Sequence, residues 1–241
     1  DIDPDTEVIT TTALLKIGVT EVNAFFGDPG ESDDSSDDIG LRITDGELGF
    51  VAFKPSMGGF ALSTSYALRI GGTAELVGLQ DAGLTLSATD VEIKKNTTGG
   101  KVDAIEIKTA GDPIKVEFAE DESPQQVRGT LSLDVAGFVS ASGSFGMESL
   151  APVIEGTTTT RTLKIGLNEV TAFVGDSGPT DSLSDDTGLR ITDGQLGLVV
   201  YKSTAPGEIG QPPTKSTTYA LVASGSAAIV GLENSGLTLS V

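Results

Sequence analysis

Leu15-Lys16-Ile17-Gly18-Val19 sets an apolar side chain at every second residue, and Leu163-Lys164-Ile165-Gly166-Leu167 repeats the pattern 148 residues later. Alternation with period two is the signature of a half-buried strand. The match runs on without a gap, and between 13–54 and 161–202 the two copies agree at 26 of 42 positions. Five extra residues then enter the second copy near Pro206–Pro213, and Tyr66-Ala67-Leu68 realigns with Tyr219-Ala220-Leu221. The chain therefore reads as a tandem array, with a first module over 1–156 and a second, truncated module over 157–241. A module this long is not a short-period solenoid repeat. Because the second copy stops part-way, the chain is expected to be a piece of a longer array.

The same alternation recurs in Leu84-Leu86, Val91-Ile93, Ile105-Ile107, Ile114-Val116-Phe118 and Leu131-Leu133-Val135, and no window supports a helix. Turn-forming clusters close these runs at Asn96–Gly100, Gly111-Asp112-Pro113 and Asp121–Pro124, so eight to ten strands per module are expected. Asp45-Gly46 suits a two-residue hairpin turn that would pair Ile43 with Leu48 and Leu41 with Phe50. Its copy, Asp193-Gly194, would pair Ile191 with Leu196. The small-residue run Val135–Gly146 reads as one long strand bent at its glycines, and Thr157–Thr160 as a linker between modules. The fold class is all-β, an elongated antiparallel sandwich or rolled sheet in tandem modules, with a parallel β-helix as the alternative.

The 241 residues carry 35 acidic against 15 basic side chains, a formal charge of -20, with no Cys, no His and no Trp. That field repels phosphate backbones, so nucleic acid is not an expected partner. It also strains the compact state unless cations screen it. Without His or Cys there is no Ser-His-Asp triad, no thiol nucleophile and no histidine-bound zinc, and the expectation is a protein that is not an enzyme. Asp37 beside Asp38 is a poor glycosidase pair, since neighbouring side chains rarely converge on one bond. No apolar run is long enough to insert as a membrane helix, and Asp1–Asp5 have no export-signal character, so any such signal is expected upstream.

The acidic loop Gly27–Gly40 holds six carboxylates in fourteen residues, and its counterpart is Gly175–Gly188. Asp28, Asp33, Asp37 and Asp38 recur as Asp176, Asp181, Asp185 and Asp186, whereas Glu31 and Asp34 do not recur. Calcium takes six to eight hard oxygens, which such a loop supplies, so these eight aspartates are the candidate metal ligands. The spacing matches neither the EF-hand nor the nonapeptide β-roll pattern. The competing reading is that Asp, Ser and Gly are what a solvated loop contains.

Glu21–Gly27, the acidic loop, Tyr66-Ala67-Leu68 with Leu76–Leu79, and Gly137–Gly143 together resemble repeats of very large surface proteins of marine and environmental bacteria. The resemblance implies a calcium-associated adhesin or surface-layer array, located extracellularly at the cell surface. Its partners would be further copies of the same repeat or chain. The function expected is a structural repeat of an adhesin stalk, sheath, filament or surface layer; the alternative is a module that binds a glycan or a protein.

Overall fold

A computed structural model describes residues 10–28, 38–178, 185–207 and 211–232. Its strands are β1 (Thr10–Asp28), β2 (Ile39–Met57), β3 (Phe60–Ala61), β4 (Ser65–Val77), β5 (Leu84–Asn96), β6 (Val102–Ile107), β7 (Ile114–Phe118), β8 (Gln125–Val135), β9 (Val139–Ser149), β10 (Val153–Glu155), β11 (Thr158–Asp176), β12 (Thr187–Ala205) and β13 (Thr214–Val230). One short 3-10 turn, Gln80–Ala82, is the helical content of the described residues. Eleven strands form a single open sheet in the order β1-β2-β4-β5-β8-β9-β11-β12-β13, with β3 beside β2 and β10 beside β11. The remaining two, β6 and β7, pair only with each other. Every pairing among the described residues is antiparallel, as the antiparallel sheet expected from the sequence requires and a parallel β-helix would not show.

Alternation explains why these segments lie side by side. Opposed residues share a face, and the register brings Val19, Leu48, Ile70, Ile93, Val127, Met147, Ile165, Leu198 and Leu221 into one row across nine strands. Each apolar side chain in this row shields its neighbours along the sheet. A one-residue slip anywhere would send that strand's contribution to the opposite face. The row crosses the module boundary through Met147↔Ile165.

A second row consists of irregularities. Asp45-Gly46 stands opposite Gly72, Asp90-Val91 opposite Gly129, Glu169-Val170 opposite Gly143, and Asp193-Gly194 opposite Gly225. In each case two residues face one, which defines a β-bulge and increases local twist. The acidic member is left-handed every time, with φ of 52° at Asp45, 51° at Asp90, 53° at Glu169 and 53° at Asp193; Glu21, on the bulge of β1, has φ 57°. Space opposite the bulge is tight, as a Cβ on Gly143 would lie 3.1 Å from the Cα of Val170. These bulges bend the long strands along one line instead of ending them.

That geometry corrects the hairpin expected at Asp45-Gly46. A type I′ turn needs positive φ at both central residues, but only Asp45 has it, and β2 runs straight through. Ile43 opposes Ala24 and Ala74, while Leu48 opposes Val19 and Ile70. In the second copy, Ile191 opposes Ala172 and Ala227, and Leu196 opposes Leu167 and Ala223. The expected long strand over Val135–Gly146 is the mirror of this error. Ala136 (φ 54°) and Gly137 (φ 68°) form a tight turn closed by Phe138 N–H donating to Val135 O at 2.9 Å, so β8 and β9 are a hairpin. Nor is Thr157–Thr160 an open linker: Thr158–Thr160 pair with Val153–Glu155, and the sheet is continuous there.

The packed core lies under the β6–β7 ribbon, which folds over β1, β2 and β4. Val51, Ala67, Val102, Ile107, Ile114, Val116 and Phe118 are buried together, with Phe53 and Ile105 packed against them. Fully burying one Val or Phe side chain contributes about 1.5–3 kcal/mol. Close approach is made possible by glycine: a Cβ on Gly18 would sit 2.7 Å from Ile107 Cγ2, and one on Gly49 2.7 Å from Ile114 Cγ2.

Candidate functional site

Of the eight candidate metal ligands, Asp33, Asp37 and Asp181 lie outside the described residues. Asp28 and Asp176 are the last residues of β1 and β11. Asp176 Oδ1 accepts from Gly178 N–H at 3.1 Å, a local turn bond. Asp38 and Asp186 stand just before β2 and β12, and each pairs with an arginine four residues on. Arg42 approaches Asp38 at 3.2 Å, and Arg190 approaches Asp186 at 2.5 Å. Asp186 is buried, and Arg190 also lies over the Phe173 ring, 5.8 Å from its centroid. Asp185 is half-buried beside Asp186, against Gly178. Among the described residues no three acidic side chains converge as a metal cage would require. The arginine pairs therefore supply a reason for Asp38 and Asp186 to recur that the sequence reading lacked. The signal was present, since Asp-x-x-x-Arg occurs at both 38–42 and 186–190.

A second charged cluster lies beside the ribbon in the first module. Arg69 bonds to Glu47 at 2.9 Å and to Glu92 at 2.8 Å, and Arg128 pairs with the second oxygen of Glu92. Burial alone would raise the Glu92 pKa, but the bonds from Arg69 and Arg128 outweigh it and hold the carboxyl below its ordinary value. Glu122 is lowered in the same way: burial opposes ionisation, and Lys94, the Ala119 N–H and Gln126 together overcome it. Lys94 in turn lies over Phe118, 4.5 Å from the ring centroid. Every cation of the cluster answers an anion: Arg69 and Arg128 tie β2, β4, β5 and β8 to one another, and Lys94 ties β5 to Phe118 of the ribbon.

The third feature is the pair of sheet margins. β1 and β13 end the strand order, so each has one neighbour among the described residues. β11 is the repeat counterpart of β1, and its corresponding edge is fully used: Leu163–Val174 pair with Ser149–Val139 of β9. The equivalent edge of β1, Leu15–Phe26, therefore has the backbone geometry that accepts a β9-type strand. β13 corresponds likewise to β4, whose far edge is paired with β5. No helix among the described residues is long and apolar enough to cross a membrane. No family model, curated protein or solved structure matches the chain.

Proposed function

We propose that the chain is a non-catalytic structural segment of a long extracellular surface protein, such as an adhesin stalk, sheath, filament or surface layer, in which repeats add strands to one growing sheet. The observation that supports this reading is the β9–β11 pairing, where one repeat passes into the next by an ordinary strand ladder with no linker. A ribbon built this way resists bending between modules, because separating them means breaking a row of backbone hydrogen bonds at once. Its partners are further copies of the same repeat. In this reading the acidic loops, recurring at the same end of each module, take up calcium, which offsets the charge of -20.

Six strand steps separate β1 from β11 in the sheet order. At about 4.8 Å per step, each repeat adds about 29 Å along the sheet. Chains carrying increasing numbers of repeats, imaged by electron microscopy, should give a ribbon whose contour lengthens by that increment. Beads joined by flexible tethers would overturn the proposal.

A further inference from the structure

Alternation gives the main sheet two unlike faces. On β4, Leu68, Ile70, Ala74 and Leu76 lie on one face and Arg69, Thr73 and Glu75 on the other. The ladder carries this division across the strands, since Ile70 stands beside Ile93 and Ile93 beside Val127, while Leu76 stands beside Leu86 and Leu86 beside Leu133. The bulges do not exchange the faces. Leu48 and Ile43, on either side of the bulge in β2, both stand beside apolar-face residues of β4, Ile70 and Ala74. The β6–β7 ribbon lies on the charged face, because Ala67, buried beneath it, alternates onto the side of Arg69. Over the apolar face the described residues place no cover: Leu131 and Val135 are 40% and 38% exposed, and Leu48, Ile70, Ile93 and Met147 are half-buried. Strands β1 to β9 make up one whole period of the repeat. Each of them lies either in the sheet or, as β6 and β7 do, on its charged side.

We infer that the apolar face is an interface between two copies of the chain, which press together as the two layers of a β-sandwich. Area is the first argument. Six strands of one repeat, at about 4.8 Å spacing, and apolar rows running about 27 Å from Leu68 to Leu76 give about 800 Å² per repeat. That is the share one partner contributes to a stable interface of standard size, and it exceeds the largest apolar patch of a typical monomer. Charge is the second. Glu47, Arg69, Glu75, Glu92, Arg128 and Glu148 all belong to the opposite face, so two sheets packed about 10 Å apart hold their charges outward, beyond the ~8 Å screening length. Approach through the charged faces would instead bring two chains of formal charge -20 together on their carboxylates. The third argument is period. Met147 stands beside Ile165, so the apolar face crosses the repeat boundary unbroken, and an occupant that keeps contact at each repeat must share the array's spacing. A second copy has that spacing by construction. This inference concerns the sheet's face, whereas the proposed function concerns its edges, so either can fail alone.

Sedimentation equilibrium of the intact chain at micromolar concentration reads the association directly, and a reversible monomer–dimer equilibrium is expected. Leu131→Asp, which puts a charge in the middle of the apolar face, should weaken it by about tenfold or more. Thr130→Asp, one residue away on the other face, should leave it unchanged, which separates loss of the interface from general disturbance of β8. Val135→Asp, at the end of β8, should act in the same direction as Leu131→Asp and keeps the test open should the mid-strand charge prevent folding. Phosphatidylcholine vesicles supply the competing occupant. A chain that stays monomeric, a dimer that both apolar-face variants leave intact, or a monomer that floats with the vesicles would each overturn the inference.

Discussion

The first module and the second use nearly the same residues at β1–β2–β4 and β11–β12–β13, and among the described residues the buried cluster lies in the first, under the β6–β7 ribbon. Val51 is fully buried beneath the ribbon, while Tyr219, Leu221 and Val222 on β13 are 74%, 59% and 70% exposed. Both copies nonetheless form the same ladder, down to the bulges at Asp45 and Asp193. The ladder in this chain thus forms by alternation and register in both copies, and in the first the β6–β7 hairpin supplies the burial.

The largest way to break the comparison is to remove the cover. Phe118→Ala should cost about 3–5 kcal/mol in the first module, because a large buried ring is lost and the ribbon cannot collapse onto the gap. Hydrogen exchange should accelerate in β1, β2 and β4 and stay constant in β11–β13. Equal loosening of both copies would mean that the modules unfold as one unit.

A matched pair of glycine substitutions sharpens it. Gly18→Ala drives a methyl to 2.7 Å from Ile107 Cγ2, an overpacking that costs about 1–3 kcal/mol, whereas Gly166→Ala meets open space. The second should be neutral or slightly stabilising, since alanine has less freedom to lose on folding. Urea midpoints of the two variants should differ in that sense; similar losses would show that backbone conformation, not the ribbon, demands the glycine.

Acid separates the modules next. Glu92 and Glu122 are held below their ordinary value, so their stabilisation is complete above about pH 4.5 and is lost as pH falls through the lower folded-state values. Gln195 and Val222 replace Glu47 and Arg69 in the second copy, which cannot make the pair. Exchange rates corrected for pH should therefore rise in β4 and β5 before β12 and β13. Glu92→Gln should cost about 1–2 kcal/mol at neutral pH and flatten that acid response. An unchanged acid profile would remove Glu92 from the account.

Much of the strand pattern was legible in sequence because alternation acts locally, and so were the turns at Asn96–Gly100 and Gly111-Asp112-Pro113. Asp45-Gly46 and Ala136-Gly137 were read the wrong way round for a shared physical reason. Left-handed φ serves both a bulge and a turn, and the choice depends on whether the flanking residues pair with each other or with strands far away in sequence. Leu41–Thr44 had β1 and β4 available on either side; Leu131–Val135 had β9 directly after the turn. The ribbon's position was hidden too. Gly18 and Gly49 gave no sign of what they approach, because packing between distant segments leaves no period in the chain. At the acidic ends the recurrence of Asp38 and Asp186 was visible, but not the guanidinium that each one meets.

The smallest expected effects fall at those acidic ends, where the two explanations of a recurrent aspartate predict different things. Asp186 and Arg190 are both largely shielded from solvent, more so than Asp38 and Arg42. Asp186→Asn should therefore cost about 1 kcal/mol and Asp38→Asn rather less. If these carboxylates serve only their arginines, each loss is the same in calcium and in sodium chloride of matched ionic strength. Extracellular calcium sites with dissociation constants of about 10⁻⁴ to 10⁻³ M would add about 0.4–1.4 kcal/mol per site at millimolar calcium. That increment should survive Asp38→Asn and fall with Asp33→Asn and Asp181→Asn, the recurrent pair in mid-loop. Melting curves in calcium, magnesium and chelator decide it. A calcium increment abolished by Asp38→Asn would mean that the ion displaces Arg42. No increment in any variant would leave the acids as a solvated surface, with the arginine pairs accounting for Asp38 and Asp186.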